Sequence, residues 1–259
     1  SSMKPIRVFG ISLLCCAVAS PVVADVTVKS KGTSAGMVGA KVGDMTQQIK
    51  GQKVRIDQTT GEGRQISTII DIAAKQMVTL NHDAKEAEVI DMTSLGETLA
   101  KAGVAEINVS ITPTTATRQI AGQTCNVYDL KLAVPMPVGK TTMSMVLSGP
   151  QCLVKNGPGQ ADFLAFYRAA SEGGGFLDAN QAKGQPAMAK AMTDMYRKMS
   201  ELGVPFATEM KMGIEGDGPM AEAMKKMGST ISTEVTSIST APIPATVFEM
   251  PAGYKVKKR

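Results

Sequence analysis

Residues 124–134 (TCNVYDLKLAV) and 143–148 (MSMVLS) alternate apolar and polar side chains; Cys125 stands at the start of the first run and Cys152 follows the second. Tyr128, Leu130, Leu132 and Val134 share one parity, with Asp129 and Lys131 on the other, and Met143, Met145 and Leu147 align in the second run. Period-two alternation is the signature of strands with one buried face. One antiparallel register sets Cys125 opposite Cys152 and, at the same time, Leu130 opposite Leu147, Leu132 opposite Met145 and Val134 opposite Met143. The pattern predicts a disulfide across a hairpin whose turn lies within residues 135–142. Alternation puts both sulfurs on the face away from Leu130, Leu132 and Leu147. Gly149-Pro150 marks a place for a bulge near Cys152. A bridge closing a loop of this size stabilises by roughly 3 to 4 kcal/mol on the chain-entropy model. No C-x-x-C redox motif accompanies it.

The N-terminus fixes the compartment. Lys4 and Arg7 precede an apolar run at 8–19 (VFGISLLCCAVA), followed by Ser20-Pro21 and by Val22-Val23-Ala24. Charge, a run too short to cross a bilayer comfortably and a small-residue exit occur in the order of a cleavable signal peptide. Residues 1–24 are read as that peptide, with cleavage after Ala24 and a periplasmic mature chain of residues 25–259. Lipidation at Cys15 or Cys16 fits poorly, because Leu14 before the first is too large and Cys15 before the second is a poor match. Cys125 and Cys152 then remain in an oxidising compartment, which favours their pairing. Loss of Lys4 and Arg7 lowers the formal charge of +5 by two. The residual excess is mild, and part of it is the tail Lys255, Lys257, Lys258 and Arg259, read as a solvated terminus. With 4% aromatic residues and no basic stripe, nucleic-acid binding is excluded. No stable membrane insertion is expected after cleavage.

From residue 26 to about 91 the chain reads as short antiparallel strands in a meander: 46–49 and 53–58 around Gly51, then 65–72, 76–80 and 86–91. A helix is expected from Thr93 or Ser94 to Ala102, with Glu97 three residues after Ser94 as in a capping box. Strands resume at 104–112 and 118–120. Beyond Asn156-Gly157-Pro158-Gly159 the period changes. Residues 161–171 carry Phe163, Phe166, Tyr167 and Ala170 at helical spacing, ended by Gly173-Gly174-Gly175, a connector and not a phosphate loop. Residues 185–202 form the clearest helix, with Met188, Met192, Met195, Met199 and Leu202 on one stripe. Met220, Met224 and Met227 repeat the device over 219–227, and strand-like segments at 206–214, 229–239 and 246–248 complete the chain. Many strands, a helical insert at about 160–204 and further strands make a single α+β domain on one antiparallel sheet. At 43% apolar residues it can bury a real core.

Catalytic chemistry finds no constellation. His82, the sole histidine, is read in the turn 80–83 as a solvated loop residue. No serine stands in a G-x-S-x-G elbow, and Glu62, Glu86, Glu88, Asp91, Glu215 and Asp217 read as turn and surface charges. The chain is read as not an enzyme, with no cofactor and no metal site. The 18 methionines are unusual. Thioethers are soft ligands suited to Cu(I), and Met192, Met195 and Met199 would present neighbouring sulfurs, so a copper-binding protein stands as a minor alternative. Packing or cavity lining is the ordinary use of such a stripe.

The meander from Ile70-Asp71 to Leu80-Asn81-His82, the ending Phe248-Glu249-Met250-Pro251-Ala252-Gly253-Tyr254, the signal peptide and the helical insert resemble the LolA/LolB/LprG-like lipoprotein-carrier superfamily. In closer detail the chain is similar to a branch built on a domain of unknown function. The resemblance implies a strongly curved, incompletely closed antiparallel half-barrel with helices covering its concave side. It further implies a cavity between them that holds a lipid, an acyl chain or another apolar ligand. The lining would come from Met188, Met192, Met195, Met199 and Leu202 with Phe163 and Phe166. A structural or interaction protein of the cell envelope, its cavity filled by its own side chains, is the alternative, with the protein partner left open.

Overall fold

The computed structural model describes residues 25–36, 42–60, 62–93, 97, 101, 107–138, 141–172, 186–225 and 228–258. The segment 1–24 read as a signal peptide, most of the helix expected between Thr93 and Ala102, the triglycine connector and Met227 lie outside them. Among the described residues twelve strands form one sheet in the order β12-β6-β5-β4-β3-β2-β1-β11-β10-β9-β8-β7.

The first half is a meander. Strands β1 (Val26–Gly36), β2 (Val42–Lys50), β3 (Lys53–Thr60), β4 (Gln65–Asp71), β5 (Gln76–Asn81) and β6 (Glu86–Asp91) pair antiparallel with their sequence neighbours. Two of its turns use the same chemistry. Asp71 and Asn81 each accept the backbone N–H three residues on, and Lys75 and Lys85 each take a left-handed φ of about 50° at the turn's end. Then follow β7 (Val109–Ile120), β8 (Gln123–Val138) and β9 (Thr141–Val154). The strands expected at 104–112 and 118–120 are one irregular strand, β7, whose register with β8 shifts between Pro113 and Thr117. Helices α1 (Gln160–Glu172) and α2 (Pro186–Leu202) intervene. Strand β10 (Val204–Glu215), the short helix α3 (Pro219–Lys225) and β11 (Ser229–Ser239) return the chain to the sheet, where β11 pairs with β1.

Two segments depart from expectation. Residues 246–248 belong to a 3₁₀ turn, Ala245–Phe248, because Pro244 and Pro251 bracket a segment that joins no ladder among the described strands. The tail does more than solvate a terminus: β12 (Lys255–Lys258) pairs parallel with β6, so the sheet is antiparallel except at this edge. Its lysines are exposed, as suits a sheet edge.

The disulfide joins Cys125 to Cys152 as expected. Its register differs from the expected one by two residues. Leu132 faces Leu147, Val134 faces Met145 and Val127 faces Cys152, so the bridge runs diagonally. A shift of two preserves parity. The cysteines therefore still lie away from the face that carries Leu130, Leu132 and Leu147. Gly149-Pro150 introduces no shift between β8 and β9; the bulge sits on β10, between Pro205 and Ala207.

The sheet is strongly curved and not closed. Arg118 on β7 reaches Glu234 on β11 at 2.6 Å, although three strands separate them. In a flat sheet four spacings of about 4.8 Å would hold these strands roughly 19 Å apart. Helices α1 and α2 pack against each other and against a single face: α1 over β2 and β10, α2 over β7, β8 and β10. Lys198 ties α2 to the edge strand by donating to the Val109 carbonyl at 2.7 Å. Beyond β3, the opposite face carries Ile69, Val78, Leu80 and Ala87, covered by Ile243 and Phe248 of the C-terminal segment.

Candidate functional site

A cavity of about 190 Å³ lies between the two helices and the sheet. Its roof is Phe163 and Tyr167 of α1 with Met195, Tyr196 and Met199 of α2. These reach it because residues three and four apart share a helix face. Aromatic contacts fix the roof: Phe163 stacks on Tyr167 at 4.4 Å between ring centres, and Tyr167 lies 5.5 Å from Tyr196.

The floor is a band of residues on one parity of adjacent strands. Apolar members include Val28, Met45, Phe206 and Val235. Among them runs a polar group of Ser30, Gln47, Thr208, Thr233 and Gln151. Register explains the last three: Thr208 pairs with Thr233 on one side and with Gln151 on the other. Burying such side chains is costly unless they are hydrogen-bonded. Gln47 donates to the Tyr167 hydroxyl at 2.9 Å, and the Thr208 and Thr233 hydroxyls lie 2.7 Å apart. Gln151 is fully buried, and its Nε2 reaches the Glu209 carbonyl at 3.4 Å. Beside it Pro150 has no N–H for the ladder, and Gly149 lets β10 approach where a Cβ would meet the Glu209 oxygen at 2.1 Å. Gln151 Oε1 is the buried side-chain polar atom without a partner among the described residues.

Among the described residues, no charged side chain lines the cavity. Burial pushes both phenols above their ordinary range; for Tyr167 the neighbouring Tyr196 adds to the rise and the Gln47 hydrogen bond works against it. Both rings are neutral donors and acceptors at any working pH.

The residues expected to line a site divide into two groups. Phe163, Met195 and Met199 line the cavity. Met188, Met192 and Leu202 pack instead on the cluster around Leu130, Leu132, Val134 and Leu147, because a stripe spanning about four helical turns outruns the opening. Phe166 is fully buried in the main core and meets Tyr167 edge-on at 5.6 Å. Ser30, Gln47, Gln151, Tyr167 and Tyr196 escaped the sequence reading as site residues. For Gln151 a signal existed: it shares the parity of Leu147 and Leu153, so a polar residue interrupts an inward-facing apolar row.

A second cluster lies on the opposite face. His82 is a half-buried member of it and not the solvated residue expected from its turn. The Ser67 hydroxyl donates to the Asp57 carboxylate, which also accepts Arg55 Nε at 2.8 Å. With its own proton on Asp57, Ser67 Oγ accepts from Arg55 Nη2 at 3.1 Å and from His82 Nε2 at 2.6 Å, and the Tyr254 hydroxyl lies 2.6 Å from His82 Nδ1. These directions are opposite to those of a serine activated by a histidine base, where the imidazole accepts the hydroxyl proton. The cluster couples the meander to the C-terminal segment, as does Arg55 Nη1 on the Val247 carbonyl at 3.0 Å. Among the described residues no helix is long and apolar enough to cross a membrane.

Against known proteins, the model of a domain family of unknown function (DUF4412) matches residues 36–148, less than half of the chain. The match ends in β9 before Gln151 and both roof helices. No curated protein matches the sequence. Similar solved structures include PNGF-II, at 9% identity over 91% of this chain and 32% of that one, with a TM-score of 0.34. This chain thus spans about a third of the length of PNGF-II. The lipoprotein LppX of Mycobacterium tuberculosis is 9% identical over 84% of this chain and 88% of its own, with a TM-score of 0.31. Likenesses this weak carry no argument about activity.

Proposed function

We propose that this chain is a non-enzymatic periplasmic binding protein that holds an apolar ligand, a lipid or part of one, between its sheet and helices α1 and α2. The observation that carries the reading is the uncharged cavity under Phe163, Tyr167, Met195 and Met199. Methionine is unbranched and polarizable, so such a lining re-forms around ligands of different shape. A half-barrel with the helices over its concave side, as in a branch of the LolA/LolB/LprG-like superfamily, accommodates that arrangement. Export through a signal peptide at residues 1–24 accords with the Cys125–Cys152 bond, since disulfides persist in oxidising compartments. At about 190 Å³ the cavity is smaller than the roughly 300–1,000 Å³ of ordinary ligand sites. A short chain or one end of a lipid fits; a whole lipid requires α1 and α2 to part.

Native mass spectrometry of detergent-free protein, with solvent extraction of the same sample, tests the reading together with uptake of the fluorescent probe N-phenylnaphthylamine. A bound apolar mass, or saturable probe uptake, is the expected result. Absence of both refutes it. The small cavity favours one other reading, an envelope interaction protein whose interior is filled by its own side chains; crosslinking in cells would then recover a defined protein partner.

A further inference from the structure

Gln151 is a fully buried amide on the floor of the cavity. Which of its two ends is available follows from its neighbour. A carbonyl oxygen can only accept, so the atom 3.4 Å from the Glu209 carbonyl must be the Nε2 donor, and the buried oxygen is left without a partner. An unmet buried acceptor is costly and uncommon. The Thr208 and Thr233 hydroxyls, on the next two strands, bond to each other, which uses one of their two protons, and neither bonds Gln151 Oε1. The cavity thus offers apolar walls, a few hydroxyls and amides and, in Gln151 Oε1, one unmet acceptor, with no lysine, arginine or histidine among the described lining residues to neutralise an anion and no carboxylate to neutralise a cation. Burying a full charge there would cost far more than one hydrogen bond returns.

The geometry points to a ligand class: a slim apolar molecule that ends in an uncharged hydrogen-bond donor, a hydroxyl or an amide N–H, seated on Gln151 Oε1. This rests on the proposed binding role and narrows it, since it excludes free fatty acids and amines as preferred ligands. The Met and aromatic walls set affinity for the chain, and Gln151 selects its head.

Calorimetric titration of the full chain with four probes of similar length tests it: 1-octanol, heptyl methyl ether, octanoate and octylamine. The ether keeps the oxygen and removes the donor. Octanol is expected to bind about tenfold tighter than the ether, the scale of one hydrogen bond to a buried group that is otherwise left unmet, and tighter than either ion. In Gln151→Leu the octanol preference is expected to fall below about twofold while both neutral probes still bind; Gln151→Met serves the same purpose should the first variant fold poorly. Equal binding of octanol and ether by the unaltered protein overturns the inference and leaves the binding role standing. Preference for octanoate or octylamine, or an octanol preference that survives in the variants, overturns it as well. Failure of all four to bind overturns the inference, while the role beneath it stands or falls on the bound mass and probe uptake described above.

Discussion

Reducing the Cys125–Cys152 bond is expected to cost this protein about 3.5 kcal/mol of stability. The figure follows from the separation of 27 residues between the cysteines, entered in the chain-entropy expression at 25 °C. The loop it closes is the β8–β9 hairpin, one of the sheet's longest pairings, so the reduced chain keeps its native ladder and loses mainly the restraint on its unfolded state. With a urea m-value of about 3 kcal/mol/M, the unfolding midpoint should move down by about 1 M. Far-UV circular dichroism of oxidised and reduced samples, with a Cys125→Ser/Cys152→Ser variant as a check, measures it for a two-state transition. Probe uptake in the cavity should change little, because neither cysteine lines it. Coincident unfolding curves would refute the entropic reasoning. Two reactive thiols in protein isolated without reductant from an oxidising compartment would refute the bond itself.

Tyr254→Phe deletes the hydroxyl that is hydrogen-bonded to His82 Nδ1 and should cost about 1 kcal/mol, with faster amide exchange at Lys255–Lys258; unchanged exchange there would show that the cluster does not hold the C-terminal segment. Asp25 is buried, which raises its carboxyl, but the Ile243 N–H and Lys50, at 2.8 Å, outweigh that and hold it below its ordinary range. A depressed carboxyl stabilises fully above its unfolded pKa of about 3.9 and loses that contribution as pH falls through the folded value; Asp25→Asn should therefore flatten the loss of stability below about pH 4, and parallel acid limbs in the two proteins would contradict it. Phe166→Ala, at a fully buried position, should cost about 3 to 5 kcal/mol, read as a fall in unfolding midpoint, whereas a surface-like cost under about 0.5 kcal/mol would mean that α1 is not anchored through this ring.

Local periodicity carried the elements and the pairing of the cysteines. Strand alternation located β8 and β9, and the 4-3-4-3 spacing of Met188, Met192, Met195, Met199 and Leu202 located α2, because side-chain direction within one element depends only on backbone geometry. Parity survived even where register did not: the bridge is diagonal, yet the sulfurs still lie away from Leu130, because a slip of two residues returns every side chain to its own face. What needed the tertiary structure was everything set by elements distant in sequence. Curvature that brings Arg118 to Glu234, the parallel docking of Lys255–Lys258 on β6 and the capture of His82 by Tyr254 join segments roughly 120 to 170 residues apart. The cavity is of the same kind. Alternation marks Gln151 as an inward polar residue, but only the arrival of α1 and α2 over β1, β2, β9, β10 and β11 turns that position into the floor of a half-open cavity. The same helix stripe is divided there between site and core by where its length overruns the opening.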